Sequence, residues 1–175
     1  MEIFIIVILI SFVAGLLPIL YYHRMKPKWF IPMYFFMSMG GVYLIRILTI
    51  PPDTISGNGN IAILLLPIVL FTYTGLLYLV WKEVNQLLKT KNNRFVYLFI
   101  GAATLILIVC IIEEIQFTQE LITQLGGGPD VPDSRIYRFG WFNQYTNTIY
   151  VNAYTFFIGL TTCLTIVGLR NLKKK

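Results

Sequence analysis

Leu105 to Gly128 reads LILIVCIIEEIQFTQELITQLGGG. The stretch opens wholly apolar, meets two adjacent carboxylates, Glu113 and Glu114, and stays compatible with a helix until three glycines. Counted back to Phe95, the uncharged run to Ile112 would rise about 27 Å as a helix, close to the ~30 Å of a bilayer's hydrocarbon core. The glutamates therefore fall where a membrane helix leaves the hydrocarbon. Beyond them Glu113, Gln116, Glu120 and Thr123 form one polar stripe, while Ile112, Ile115 and Ile122 continue a drier one. The pattern predicts an amphipathic stalk to Leu125.

The whole chain fits that reading. Its 175 residues are 57% hydrophobic and only 13% charged, with mean hydropathy +0.71. Soluble domains carry about 25% charged residues. The expected fold is an all-α integral membrane protein forming one five-span transmembrane domain. The expected spans are 2–22, 29–48, 61–81, 95–112 with its stalk to 125, and 148–169. An outer loop, 126–147, precedes the last span.

Charge placement gives an orientation. Arg24, Lys26, Lys28, Lys82, Lys89, Lys91, Arg94, Arg170, Lys173, Lys174 and Lys175 fall on one side of a five-span chain. Arg46, Arg135 and Arg138 fall on the other. By the positive-inside rule the N-terminus is outside and the C-terminus cytoplasmic. Of the acidic residues only Glu83 falls inside. The formal charge of +6 is thus accounted for by orientation and anionic lipid, and nucleic acid is not an expected partner. Tyr21, Tyr22, Trp29, Tyr78, Trp81, Tyr97, Tyr145 and Tyr150 would make the interfacial aromatic belts. The first run lacks positive charge before it and reads as an uncleaved anchor. Twenty-five isoleucines against five alanines suggest AT-rich coding and a bacterial plasma membrane.

Small residues four apart on the last span, Thr155, Gly159 and Cys163, would let helices approach closely, within the chain in preference to a dimer face. Ser11 with Gly15, and Ser38 with Gly40 and Gly41, are shorter versions. Pro18 and Pro67 should kink their helices.

Site chemistry is sparse. One histidine, His23, and two cysteines without a CxxC spacing argue against metal, haem or thiol relay, and no cofactor is expected. Arg46, Glu113, Glu114 and Asn152 fall at similar height near the outer boundary and form a candidate polar cluster, with Arg46 pairing with one glutamate. An intramembrane ionisable group is a functional candidate by default, although a rim position also suits a structural ion pair or snorkelling. Adjacent helical residues point about 100° apart, so Glu113 and Glu114 do not face one substrate, and no catalytic residue is assigned. The outer loop interleaves aromatic residues with arginines, and Arg135, Tyr137, Arg138 and Trp141 are candidate contacts for a partner or for headgroups.

Three functions follow in order of preference. The first is a non-catalytic accessory or regulatory subunit, binding a membrane protein partner or a second copy through the outer loop and small-residue faces. The second is a small transporter or ligand-binding component with an outward polar pocket. The third is an enzyme working at the outer leaflet.

Overall fold

The computed structural model describes residues 2–21, 27–56 and 59–172. Tyr22, His23, Arg24, Lys26 and the lysines of the C-terminal tail lie outside the described residues, as do the side chains of Glu2, Ser11 and Lys28. The described chain is helical, with no strand. It holds α1 (Glu2–Tyr21), α2 (Pro27–Leu48), α3 (Leu66–Lys89), α4 (Asn93–Gln124), α5 (Arg135–Phe139), α6 (Asn147–Tyr150) and α7 (Ala153–Leu172). Four segments among the described residues are long and apolar enough to cross a membrane: Trp29–Leu48, Ile61–Lys89, Asn93–Gln124 and Asn147–Leu172. Helices are what such a setting demands, because every backbone polar group must be satisfied within its own segment.

α3 is the hub. It packs against α1, α2 and α7, and α4 leans on α7. The central core sits where α2, α3 and α7 meet, around Tyr34, Ile45, Leu76, Leu79 and Phe156. A second cluster, Leu88, Val96 and Val167, joins α3, α4 and α7 near the α3–α4 turn. A third, Leu121, Leu125, Ile136 and Tyr145, lies at the opposite end, where the segment 126–147 folds over α4.

Close approach depends on missing side chains. A Cβ on Gly15 would stand 2.6 Å from the Phe71 carbonyl, so α1 can lie flush on α3 only with glycine there. Gly159 faces the Tyr73 ring in the same way, and the Tyr73 hydroxyl donates to the Phe156 carbonyl at 2.6 Å. One turn on, the Cys163 thiol points at the Leu77 carbonyl, 3.8 Å away. Gly159 and Cys163 are thus taken up by packing against α3. Tyr34 bridges in the other direction, donating to the Ala14 carbonyl of α1. Where lipid offers side chains as apolar a home as the core does, such fits and bonds supply the cohesion.

Several boundaries differ from expectation. α3 does not stop at Trp81 but runs on to Lys89, leaving Thr90–Asn92 as the turn into α4. The segment KEVNQLLK continues the helix because Leu88 is fully buried against Val96 and Val167, and Asn85 accepts from the Asn171 amide at 3.0 Å. Asn92 then caps α4, its side-chain oxygen accepting from the Phe95 N–H at 2.9 Å. Pro67 produces no kink. It falls in the first turn of α3, after a 3-10 turn at Ile61–Leu65, where a missing N–H costs nothing. The last span is also broken near its start, between Tyr150 and Ala153.

α4 is one helix of 32 residues, about 48 Å long. Its end is a Schellman stop: the Gly127 N–H bonds the Ile122 carbonyl at 3.0 Å and the Gly126 N–H bonds that of Thr123 at 3.1 Å. Gly126 has φ +86°, a conformation that favours glycine.

Candidate functional site

Both the polar cluster and the 126–147 segment lie at the same end of the bundle, here termed the cap end. Asn152 organises the cluster. It sits in the break between α6 and α7, where Val151 is extended, and it caps α7. Its side-chain oxygen accepts from the Thr155 N–H at 2.9 Å, while its own N–H donates to the Thr155 hydroxyl at 3.0 Å. This reciprocal pair satisfies donors that a helix start leaves open. Thr155 therefore has a capping role beyond packing. The Asn152 amide nitrogen donates to the Thr148 carbonyl at 2.8 Å and to Glu114 Oε2 at 2.6 Å. The other Glu114 oxygen accepts from the Thr118 hydroxyl at 3.1 Å.

Glu114 is thus half-buried with both oxygens engaged, close to the positive end of the α7 dipole. Glu113, one residue earlier, is exposed. The structure brings Glu114 and Asn152 together but leaves Arg46 apart. No ion pair joins Arg46 to Glu113 or Glu114 among the described residues. The reason is lateral: α4 packs on α7, and the α6–α7 break stands between α4 and α2. The sequence NAYT, Asn152–Thr155, carries the Asn-x-x-Thr pattern of a helix start and was the available signal for the break.

Arg46 instead lines a groove of about 670 Å³ between α2 and α4. Met39, Val42 and Tyr43 form one wall, Phe117, Leu121 and Gln124 the other. Thr148, Asn152 and Ala153 lie between them, and Pro51, Pro52 and Tyr145 also line it. A second cavity, about 620 Å³ and mostly apolar, lies between α2, α3 and α7 and shares Val42 and Asn152 with the first.

The cap segment is a built structure. Ser134 donates to the Gly128 carbonyl at 2.7 Å and accepts from the Tyr137 N–H at 2.9 Å, starting α5. Asn143 and Thr146 close a second turn, with the Tyr145 N–H bonding Asn143 Oδ1 at 2.8 Å and the Asn143 N–H bonding the Thr146 hydroxyl at 3.1 Å. The segment is tied to the chain after α2. The Ile50 N–H bonds the Gln144 carbonyl at 2.9 Å, and Asn60 and Asn147 exchange two amide bonds of 2.8 Å.

Two residues read from sequence as surface groups are turned inward. Arg135 donates to the Thr54 carbonyl and lies over the Tyr145 ring, 4.3 Å from its centroid. Tyr145 is 2% exposed and accepts from the Ser56 N–H at 3.2 Å, so it belongs to no interfacial belt. Left outside are Tyr137, Arg138, Phe139, Trp141 and Phe142, with Phe142 stacked on Tyr150 at 4.5 Å. Among the described residues no group of three His, Cys, Asp or Glu side chains could hold a metal ion.

No known family's sequence model matches this chain, and neither a characterised protein nor a solved structure matches it.

Proposed function

We propose that the chain is a five-span protein of a bacterial plasma membrane, N-terminus outside and C-terminus cytoplasmic, serving as a non-catalytic accessory or regulatory subunit. In this reading α1 is the first span, α4 projects past the outer boundary, and the cap binds a membrane protein partner or a second copy. The basic asymmetry of the loops and tail supports the orientation. α1 is a 20-residue apolar helix lying along α3, which supports its counting as a span.

The observation that carries the function is the pairing of a well-tied cap with exposed aromatics. The segment spends its buried polar groups on holding its own shape, yet turns Tyr137, Arg138, Phe139, Trp141 and Phe142 outward. Aromatic residues and arginine on a rigid support are what protein interfaces favour, since little entropy is lost on docking. With Gly159 and Cys163 occupied by α3, the cap is the better-supported contact than the small-residue faces.

The test is purification in mild detergent, comparing the natural chain with a variant carrying Tyr137→Ala, Arg138→Ala, Trp141→Ala and Phe142→Ala. The expected outcome is a stoichiometric companion, or a dimer, that the variant loses while still eluting as a single folded species. A lone monomer from the natural chain would overturn the reading.

A ligand-binding component, transporting or not, is the second reading, and the groove beside Arg46 favours it. An outer-leaflet enzyme has less behind it, since Glu114 is engaged by Asn152 and Thr118 and the exposed Glu113 sits about 100° away around the helix.

A further inference from the structure

We infer that the groove between α2 and α4 holds one anionic lipid of the outer leaflet, its headgroup on Arg46 and the upper part of an acyl chain between the two helices. This rests on the second reading above, that the groove is a ligand site, and on the outside placement of the cap.

On the two helical walls a polar residue lies toward the cap and an apolar one deeper, while Thr148 and Asn152 make the floor and Pro51 and Pro52 close the cap end. On α2, Arg46 stands toward the cap and Met39 about 10 Å deeper, by the rise of a helix. On α4, Gln124 stands toward the cap and Phe117 about 10 Å deeper. A molecule seated there needs its polar end toward the cap and its apolar end toward the bundle, which is the plan of a lipid drawn up against the first turns of the α4 stalk. The volume, about 670 Å³, lies in the range of about 300–1,000 Å³ typical of small-molecule sites.

Charge chooses the headgroup. Among the described residues Arg46 is the one charged side chain lining the groove, and no Asp or Glu lines it. Glu114 lies behind Asn152, and its oxygens are held by that amide and by Thr118. Arg46 is exposed and makes no ion pair or hydrogen bond with the described residues. A guanidinium at a hydrocarbon boundary needs an anion, and a phosphate fits its planar fork with two parallel bonds. A protein helix is a poorer occupant. The walls offer only about two turns of length, and Pro51 and Pro52 add to the lining just beyond α2.

The probe is a pair of lipids differing in headgroup charge. The purified chain, stripped of lipid in detergent, is equilibrated with mixed micelles holding equal phosphatidylglycerol and phosphatidylcholine, and bound lipid is counted by native mass spectrometry. The expected result is one phosphatidylglycerol per chain, favoured about tenfold over phosphatidylcholine, the scale of a charge-assisted contact. Arg46→Gln should bring the two lipids to parity, Arg46→Lys should keep part of the preference, and Lys89→Gln at the opposite end of the bundle should change nothing. Ala153→Phe, which fills the groove floor, should remove the adduct. If that variant does not fold, the two Arg46 variants still decide.

Equal binding of both lipids to the natural chain would overturn the anionic class while leaving the groove as a ligand site. So would a preference that survives Arg46→Gln. Absence of either adduct would overturn the ligand-site reading itself. A lipid-free dimer would put a second copy in the groove and overturn the proposal.

Discussion

Asn152 makes four hydrogen bonds through one short side chain and its own N–H, and they tie three elements together. Two of them start α7, one reaches back to α6, and one holds Glu114 of α4. Replacing it with alanine removes the cap and strips Glu114 of its amide donor. The expected loss is about 1–3 kcal/mol, from a missing cap and a half-buried acceptor left short. Thermal unfolding in detergent should show it as a lower midpoint. Asn152→Asp is the sharper probe: it keeps the capping oxygen but sets a second carboxylate against Glu114. It should be worse than alanine, and Glu114→Gln added to it should recover most of the loss. A cycle in which the second change recovers nothing would mean the two residues do not interact.

At the level of elements, the end of α4 and the cap form one unit. The Schellman stop turns the chain through Gly126, the Arg135 N–H then bonds the Leu125 carbonyl at 3.0 Å, and Ile136 buries beside Leu121 and Leu125. Gly126→Ala forces an L-residue into left-handed backbone, at a cost of about 1–2 kcal/mol. That cost should fall on the cap and spare the bundle, because the strained residue lies past the last α4 turn. Trypsin offered to the intact variant should cut after Arg138 several-fold faster than in the natural chain, with helical content by circular dichroism unchanged. Equal cutting rates would show that the cap does not depend on this turn. The stalk itself was legible in the sequence, since its polar and apolar stripes repeat at the helical period. The cap's interior was not, because Arg135 and Arg138 are alike in sequence and only contact with Tyr145 and Thr54 separates them.

For the whole molecule, the number of crossings decides on which faces the termini lie. With α1 as a span, five crossings put the termini on opposite faces, and with α1 lying at the surface they share one. An epitope placed before Glu2 should be reached by antibody on intact cells, whereas one after Lys175 should require permeabilisation. Reaching neither on intact cells would reduce the spans to four. The helix row α4–α7–α3, with α1 and α2 on its far side, leaves α4 with one main neighbour and a broad apolar face. Lipid covers such a face as well as protein does, so the proposed partner contact is argued from the cap and not from α4.

The sequence by itself determined that this is a helical chain with segments long and apolar enough to cross a membrane, roughly where most of them begin and end, and which glycines stop α4. Those properties are local: a bilayer sets a length and a hydropathy, and a helix end needs its own cap. Only the tertiary structure decided what each side chain meets. It separated Arg46 from the glutamates, gave Glu114 to Asn152, folded Arg135 and Tyr145 inward, and set Gly159 against Tyr73. Height along a helix follows from counting residues at a fixed rise, but direction around the axis depends on which neighbours pack, and that is a property of the whole bundle.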